Sequence, residues 1–202
     1  KGFIAHGIEH EVDCMVFASG FEVSSDLDRR WGFEVFEGRD GVSIYDHWAD
    51  GYKTLHGVMT HGFPNLFFIG YYQGGLNAST TEQYHRQTIH CAYIISEALG
   101  RGVAAVEPSR EAQDAYVSHF RDVAIDLTDF QRECTPSYYN NESETITGSD
   151  GRQKFRNFLG ETYGLGWTAF EKLLQDWRDK GALDGLVLVP EPGNARTVSA
   201  TE

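Results

Sequence analysis

The sequence predicts an α/β protein, on three observations. Apolar runs too short for an ordinary helix stand at residues 12–22 and 66–69. The second run leads through a glycine loop into a helix that carries its own capping signal. Amphipathic stretches then alternate with a closing strand-like segment, DGLVLVP. Mixed short apolar runs and 3.6-period stretches are the pattern of sheet-and-helix layers.

In chain order, VDCMVFASGFE (residues 12–22) reads as a buried strand, because Val16 and Phe17 favour a pleated, enclosed surface. Residues 23–60 read as an irregular excursion with brief strands or turns, punctuated by Gly32, Gly38, Gly41, Gly51 and Gly57. Pro64 and Asn65 start a turn, and residues 66–69 form a strand buried on both faces. STTE at 79–82 is a capping box: Ser79 accepts from the third helical N–H while Glu82 reaches back. Its helix runs to about Leu99, stops at Gly100, and carries Ala92, Ile95 and Leu99 as its apolar face. A second helix is expected over about residues 109–132, with Tyr116, Phe120, Val123, Leu127 and Phe130 as its stripe. ECTPSYYNNESETITGSDGR is a polar, turn-rich loop. A third helix spans about residues 169–180, with Phe170, Leu173, Leu174 and Trp177 inward and Gly181 as its stop. Asp184 and Gly185 turn the chain into the DGLVLVP strand, and the tail after Pro190 is expected to be disordered.

With 202 residues, the chain is one large domain or one and a half, and buries roughly 70% of its unfolded surface on folding. Thirty acidic against 17 basic residues give a net charge of −13. Such a surface repels phosphate backbones and anionic membranes, so neither nucleic acid nor a membrane is expected as a partner. Cys14, Cys91 and Cys134 are odd in number and far apart, which suggests no disulfide framework or zinc site and fits a reducing cytoplasm. The triplets Asn77-Ala78-Ser79 and Asn141-Glu142-Ser143 are then chance matches to a glycosylation signal. There is no signal peptide and no apolar span of about 18 residues. Lys1 leads almost directly into strand-like sequence, so the chain is expected to start within something larger.

The strongest chemical signal is the glycine loop before the capped helix. A helix N-terminus carries roughly half a positive charge and free N–H donors. Gly70, Gly74 and Gly75 would let a flat ligand lie against the backbone, or they serve a turn that needs positive φ; the residues alone leave both readings open. GLGW at 164–167 lacks the third glycine of a dinucleotide fingerprint and follows no strand, and no full fingerprint occurs in the chain. His6 and His10 sit on no convincing helix, so no metal site is expected there, and His85 and His90 are expected to make ordinary hydrogen bonds. No Ser/His/Asp set stands at recognisable spacing. PSYYNN at 136–141 either walls a pocket or pins its loop to the core.

Three segments, taken together, resemble the C-terminal part of a class B flavin monooxygenase of the Baeyer–Villiger type. DCMVFASGF is close to that family's D-x-x-[VI]-x-A-[TS]-G-[FY] segment, GFPNLFFIG to a family hallmark, and GALDGLVL to its closing G-x-L-x-G-[LF]-V-L pattern. Their order and spacing agree with the family up to Val189, and GYYQGGL and ECTPSYYNNE resemble the branch acting on bulky cyclic ketones, macrocyclic and steroid ones included. The resemblance implies a flavoprotein of two dinucleotide-binding domains, with FAD and NADPH as cofactors and with a ketone and O2 as substrates. Residues 1–105 would be the last part of the FAD domain, 106–189 a helical region with a pocket loop at 133–151, and 190–202 a tail. Gly70, Gln73, Gly74, Gly75, Leu76 and Asn77 would face the pyrimidine edge of the flavin, and Tyr138, Tyr139 and Asn141 would line the substrate pocket. The glycine fingerprints and the active-site arginine would lie upstream, so no catalytic residue is assigned and the chain alone is expected to be inactive. An N- or S-oxidising flavin monooxygenase and a non-catalytic domain that has lost the cofactor are the alternative expectations.

Overall fold

A buried length of irregular backbone, not a large sheet, forms the centre of the molecule. The computed structural model describes residues 1–17, 27–49, 51–125, 130, 133–134 and 162–192. Residues 54–60 are all buried and thread between three apolar clusters. Leu55 packs with Tyr116, Phe120, Tyr163, Phe170 and Leu174. Val58 and Met59 pack with Cys91, Ile94, Ala98, Val103 and Val106. The third cluster is mostly aromatic: Ile44, Trp48, Tyr52, Phe63 and Phe68 are its buried members, with Trp31, Phe36 and Tyr72 among the residues against them.

The chain opens with a hairpin of β1 (Gly2–Ala5) and β2 (Ile8–Glu11), paired antiparallel with Ala5 opposite Ile8. Its two-residue turn, His6 and Gly7, has positive φ at both positions (51° and 78°), the geometry that matches strand twist. Residues 12–17 do not form the expected buried strand: Val16 and Phe17 are 81% and 84% exposed, and no strand among the described residues pairs with them. A lone extended segment has neither a hydrogen-bonding ladder nor a face to bury. Residues 18–22 lie outside the described residues.

Short helices, where brief strands or turns were expected, organise the aromatic cluster: α1 (Leu27–Trp31), a 3-10 turn (Arg39–Gly41) and α2 (Ile44–His47). Ser43 caps α2 by accepting from the Tyr45 N–H at 3.2 Å. Trp48 and Phe68 have ring centroids 4.9 Å apart, and Trp48 meets Tyr52 edge-on at 5.2 Å, contacts worth about 0.5–1.5 kcal/mol each beyond area burial.

The long helix α3 (Thr80–Gly100) ends where the sequence indicates, but its inward face differs from the expected one. Leu99 is 68% and Ile95 42% exposed, whereas Gln83, Gln87, His90, Cys91, Ile94 and Ala98 are buried. Burial pushes the Cys91 thiol up to about 12, so it is a neutral core group. β3 (Val103–Pro108), unforeseen because VAAVEP shows no alternation, pairs antiparallel with β4 (Leu186–Pro190), which the sequence indicates. The boundary expected near residue 105 falls inside β3. Pro64 and Asn65 do turn the chain, and Asn65 extends this small sheet. Its side chain accepts from the Val106 N–H and donates to the Ala104 carbonyl, both at 3.0 Å. Residues 66–69 are extended but unpaired as a strand, with Phe68 buried and Ile69 43% exposed.

Helix α4 (Arg110–Val123) stops well short of residue 132, because Ala124 turns extended and Ile125 bridges to Thr162. Tyr116 and Phe120 do face the core; Phe130 is exposed, and Leu127 lies outside the described residues. Helix α5 (Trp167–Lys180) buries Phe170 and Leu174 and ends on Gly181 in the left-handed region. GLGW is its lead-in, with Gly166 (φ 87°) as N-cap.

A polar contact crosses the core between α3, α5 and the 54–60 segment. His56 Nδ1 lies 3.1 Å from His90 Nε2, and His90 Nδ1 lies 3.2 Å from an Arg178 amino group. Arginine can only donate, so His90 Nδ1 accepts. His90 therefore carries its proton on Nε2 and donates to His56, which carries its own on Nε2. Burial first, and Arg178 and the neighbouring imidazole after it, hold the two rings neutral, His56 down to about 3 and His90 to about 2. Both folded values lie below the ordinary 6.5, so the folded state binds fewer protons than the unfolded one. This contribution to stability is intact above pH 6.5 and is lost as pH falls from there toward the folded values. Urea unfolding should show stability dropping between pH 7 and pH 5 by up to about 1.4 kcal/mol per pH unit for each histidine. His90→Asn should flatten that dependence.

Candidate functional site

The turn that joins the aromatic cluster to α3, residues 70–79, is held from beneath by glutamines. Gln87 of α3 accepts from the Gly70 N–H at 2.9 Å and donates to the Gly70 carbonyl at 2.7 Å. Gln83, one turn earlier, accepts from the Asn77 N–H at 3.0 Å. Gln73 turns its own side chain inward, where it accepts from the Thr54 N–H at 3.0 Å, and its carbonyl accepts from the Tyr116 hydroxyl at 2.7 Å. Gln113 of α4 does the same for the buried segment, accepting from the His61 N–H at 2.7 Å and the Thr60 hydroxyl at 3.0 Å. All four glutamines are 1% exposed. Helical spacing explains the pairing in α3: residues four apart share a face, so Gln83 and Gln87 point at two ends of one turn.

The expected cofactor residues are brought together in this turn, but they divide into two groups. Gly70, Gln73 and Gly75 are buried, Gly74 and Asn77 half-buried and Leu76 exposed. The glycines are demanded from inside. A Cβ on Gly75 would lie 2.8–3.0 Å from Phe170 atoms, and Gly70 has φ 153° with the Tyr72 ring 2.8 Å from such a Cβ. Gly74 would accept a Cβ at ordinary contact distance. The outer surface consists of Leu76, Ala78, Ser79, Thr80 and Thr81, all exposed.

Only half of the expected capping box forms. Ser79 accepts from the Glu82 N–H at 3.4 Å. The Ser79 N–H is taken by Asn77 Oδ1 at 2.8 Å, and the Glu82 carboxylate pairs with Arg86 at 2.7 Å. Asn77 thus replaces Glu82 as the reciprocal cap. The first helical N–H groups, those of Thr80 and Thr81, have no acceptor within α3 and lie at the exposed end of a 21-residue helix. Tyr71 flanks this end, its hydroxyl 3.1 Å from that of Thr80. Burial, then Tyr71, raises the Tyr84 phenol above its usual range, so Tyr84 is neutral beside the turn. The arrangement offers fixed main-chain donors and the positive end of a helix dipole to an acceptor-rich or anionic edge.

Of the other expected site residues, Tyr138, Tyr139 and Asn141 lie outside the described residues. His85 is exposed on α3, and His90 makes the hydrogen bonds given above. His6 occupies the hairpin turn, and His10 stacks on Phe3 at 4.9 Å. Gln73 was expected to face a flavin, whereas Gln83, Gln87 and Gln113 escaped the sequence reading; Gln83 and Gln87, four apart on the helix that follows a glycine loop, are the signal that could have pointed to them. Gln87→Leu leaves the Gly70 N–H and carbonyl buried without partners, a cost of about 1–3 kcal/mol for each. Urea denaturation should register a loss of about 2–5 kcal/mol, while Arg86→Leu on the neighbouring exposed position should change stability by about 0.5 kcal/mol or less.

No protein-family model matches the chain. Curated relatives do. The chain is 37% identical over 183 residues, 91% of its length, to the FAD-binding monooxygenase hmp7 of Hypomyces subiculosus, of which it covers 29%. It is 37% identical over 182 residues, 89% of its length, to a Baeyer-Villiger monooxygenase of Streptomyces coelicolor, of which it covers 28%. Its fold matches that of cyclohexanone monooxygenase from Rhodococcus sp. Phi1 bound to NADP+, with a TM-score of 0.64 and 24% identity, over 91% of this chain and 32% of that one. The chain spans about 30% of the length of the relatives it matches. Over about nine-tenths of its own length, the chain is therefore a homologue of part of the Baeyer–Villiger and related FAD-binding flavin monooxygenases.

Proposed function

We propose that this chain is the C-terminal part of an FAD- and NADPH-dependent Baeyer–Villiger monooxygenase. The overall reaction would convert a ketone, O2, NADPH and a proton to an ester or lactone, NADP+ and water. The observation that carries this reading is the pinned turn at the N-terminus of α3, in a chain 37% identical to an FAD-binding monooxygenase over 91% of its length. The residues present fit a flavin edge on the outer side of the turn. Leu76 and Asn77 with the N–H groups of Thr80 and Thr81 would meet the pyrimidine edge, while Gly70, Gln73, Gly74 and Gly75 would hold them there from below. The flavin, when bound, supplies the electron transfer and the activation of O2. The residues of this chain supply position and charge: fixed donors at a helix N-terminus favour the negative charge that the ring edge gains on reduction. Because the glutamines hold these donors in place, little reorganisation is needed when that charge appears.

In this reading, residues 1–105 complete the FAD domain and 106–189 form the helical region that includes the pocket loop with Tyr138, Tyr139 and Asn141. The dinucleotide phosphate sites and the active-site arginine are contributed by the rest of the parent polypeptide, since no full glycine fingerprint occurs here. Exposed apolar groups support such a neighbour: Val16 and Phe17, Ile4 and Ile8 of the hairpin, and Leu99 of α3 are each more than 60% exposed. The substrate is a bulky cyclic ketone, following the resemblance of GYYQGGL and ECTPSYYNNE. No described helix is long and apolar enough to cross a membrane, and the three unpaired cysteines fit a cytoplasmic location.

The polypeptide that carries this chain should purify with flavin absorbance. It should consume NADPH and O2 with a macrocyclic or steroid ketone and yield a product one oxygen atom heavier than the ketone. Turnover of amines or sulfides with no ketone product would replace this reading with a heteroatom oxidase. A colourless protein that takes up no FAD would replace it with a binding domain.

A further inference from the structure

On α5, a cavity of about 540 Å³ opens between the helix and the His56 segment. Its floor and walls are His56, Tyr116, Tyr163 and Trp177, and its mouth carries Lys172 and Lys180. His56 is 94% buried, at 6% exposure. Its Nδ1 accepts from His90, which leaves Nε2–H as the ring's remaining donor, on a residue that lines the cavity. The rings of Tyr116 and Trp177 stand edge-on to His56, at 5.4 and 5.1 Å between centroids, so the surroundings are flat and apolar. At the mouth, Lys172 is neutralised by both oxygens of Asp176 at 2.7 Å, whereas Lys180 forms no ion pair among the described residues. The mouth is thus locally positive on a chain of net charge −13.

We propose that this cavity binds a planar aromatic carboxylate. The ring system lies among Tyr116, Tyr163 and Trp177, and the carboxylate accepts from His56 Nε2–H within electrostatic reach of Lys180. Three features select this class. Aromatic walls favour a flat apolar body, the His56 N–H at the cavity favours an acceptor, and the surplus lysine favours an anion. The site shares no residue with the turn proposed to meet flavin, and Tyr116 and Tyr163 touch that turn through its Gln73 and Gly74 carbonyls; ligand binding at the cavity is therefore read separately from flavin uptake.

The test is calorimetric titration of the protein with 2-naphthoate, with neutral 2-naphthamide as control. One saturable site is expected, with the amide bound more weakly. His56→Phe, which keeps a ring and removes the donor, should weaken binding about tenfold or more. Ala169→Phe places a ring in the cavity from a half-exposed position of α5, keeps the His56–His90 pair intact, and should abolish binding. In 15N spectra, the Nε2 resonance of His56 should shift on saturation. The proposal is overturned by the absence of a saturable site. It is equally overturned by binding that Ala169→Phe leaves unchanged, or by an amide that binds as tightly as the carboxylate.

Discussion

The constraint on which the rest of this structure depends is the hydrogen bonding of a buried, irregular backbone. Residues 54–60 and the turn beginning at Gly70 run through the core without a sheet ladder to engage their N–H and carbonyl groups. Water is excluded, and each unpaired group would cost about 1–3 kcal/mol. Glutamine meets the need because its amide carries both a donor and an acceptor at the end of a flexible arm. Gln87 uses both on Gly70, as a neighbouring strand would. Gln73, Gln83 and Gln113 supply acceptors to Thr54, Asn77 and His61. Glu107 plays the same part at the Gly62 N–H at 2.9 Å, its charge balanced by Arg39 at 2.7 Å.

This clamp ties the fold to the site. Gln83 and Gln87 belong to α3, so the helix holds from below the turn that delivers its own N-terminus. Phe170 of α5 closes the underside against Gly75, and Tyr116 of α4 fixes the Gln73 carbonyl. Helices α3, α4 and α5 thus all hold a turn of ten residues, α3 through two glutamines. The exposed donors at Thr80 and Thr81 inherit the rigidity of the core. Helix α5 has a second role: Trp177, seven residues after Phe170, bounds with His56 the cavity assigned to an aromatic acid.

Much of this was legible in the sequence where local chemistry dominates. Ser79 marks the start of α3, Gly181 the end of α5, and Pro64 and Asn65 a turn, because caps and turns are decided within a few residues. The inner face of α3 was not legible. Hydrophobic periodicity selects Ala92, Ile95 and Leu99, yet the buried face carries Gln83 and Gln87 where it meets backbone, and Cys91, Ile94 and Ala98 where it meets side chains. The segments 12–17 and 66–69 read as strands from their composition, but strand formation depends on a partner that composition does not specify. Gly70 and Gly75 were singled out for the close approach of a ligand; inside the fold, the groups that approach them are Tyr72 and Phe170. The chemistry of GFPNLFFIG and its neighbours reached the family that the relatives share. Tyr138, Tyr139 and Asn141, expected to line a pocket, lie outside the described residues.

Native-state hydrogen exchange of three amides tests the central claim most directly. The N–H groups of Gly70, Asn77 and His61 have no backbone acceptor, and each is held by a glutamine side chain. If the clamp holds the turn, these three protons exchange as slowly as the central amides of α3, and Gln87→Leu frees the Gly70 proton ahead of the others. If they exchange at the rate of an open loop while α3 stays protected, glutamine is not what holds this backbone, and the account fails.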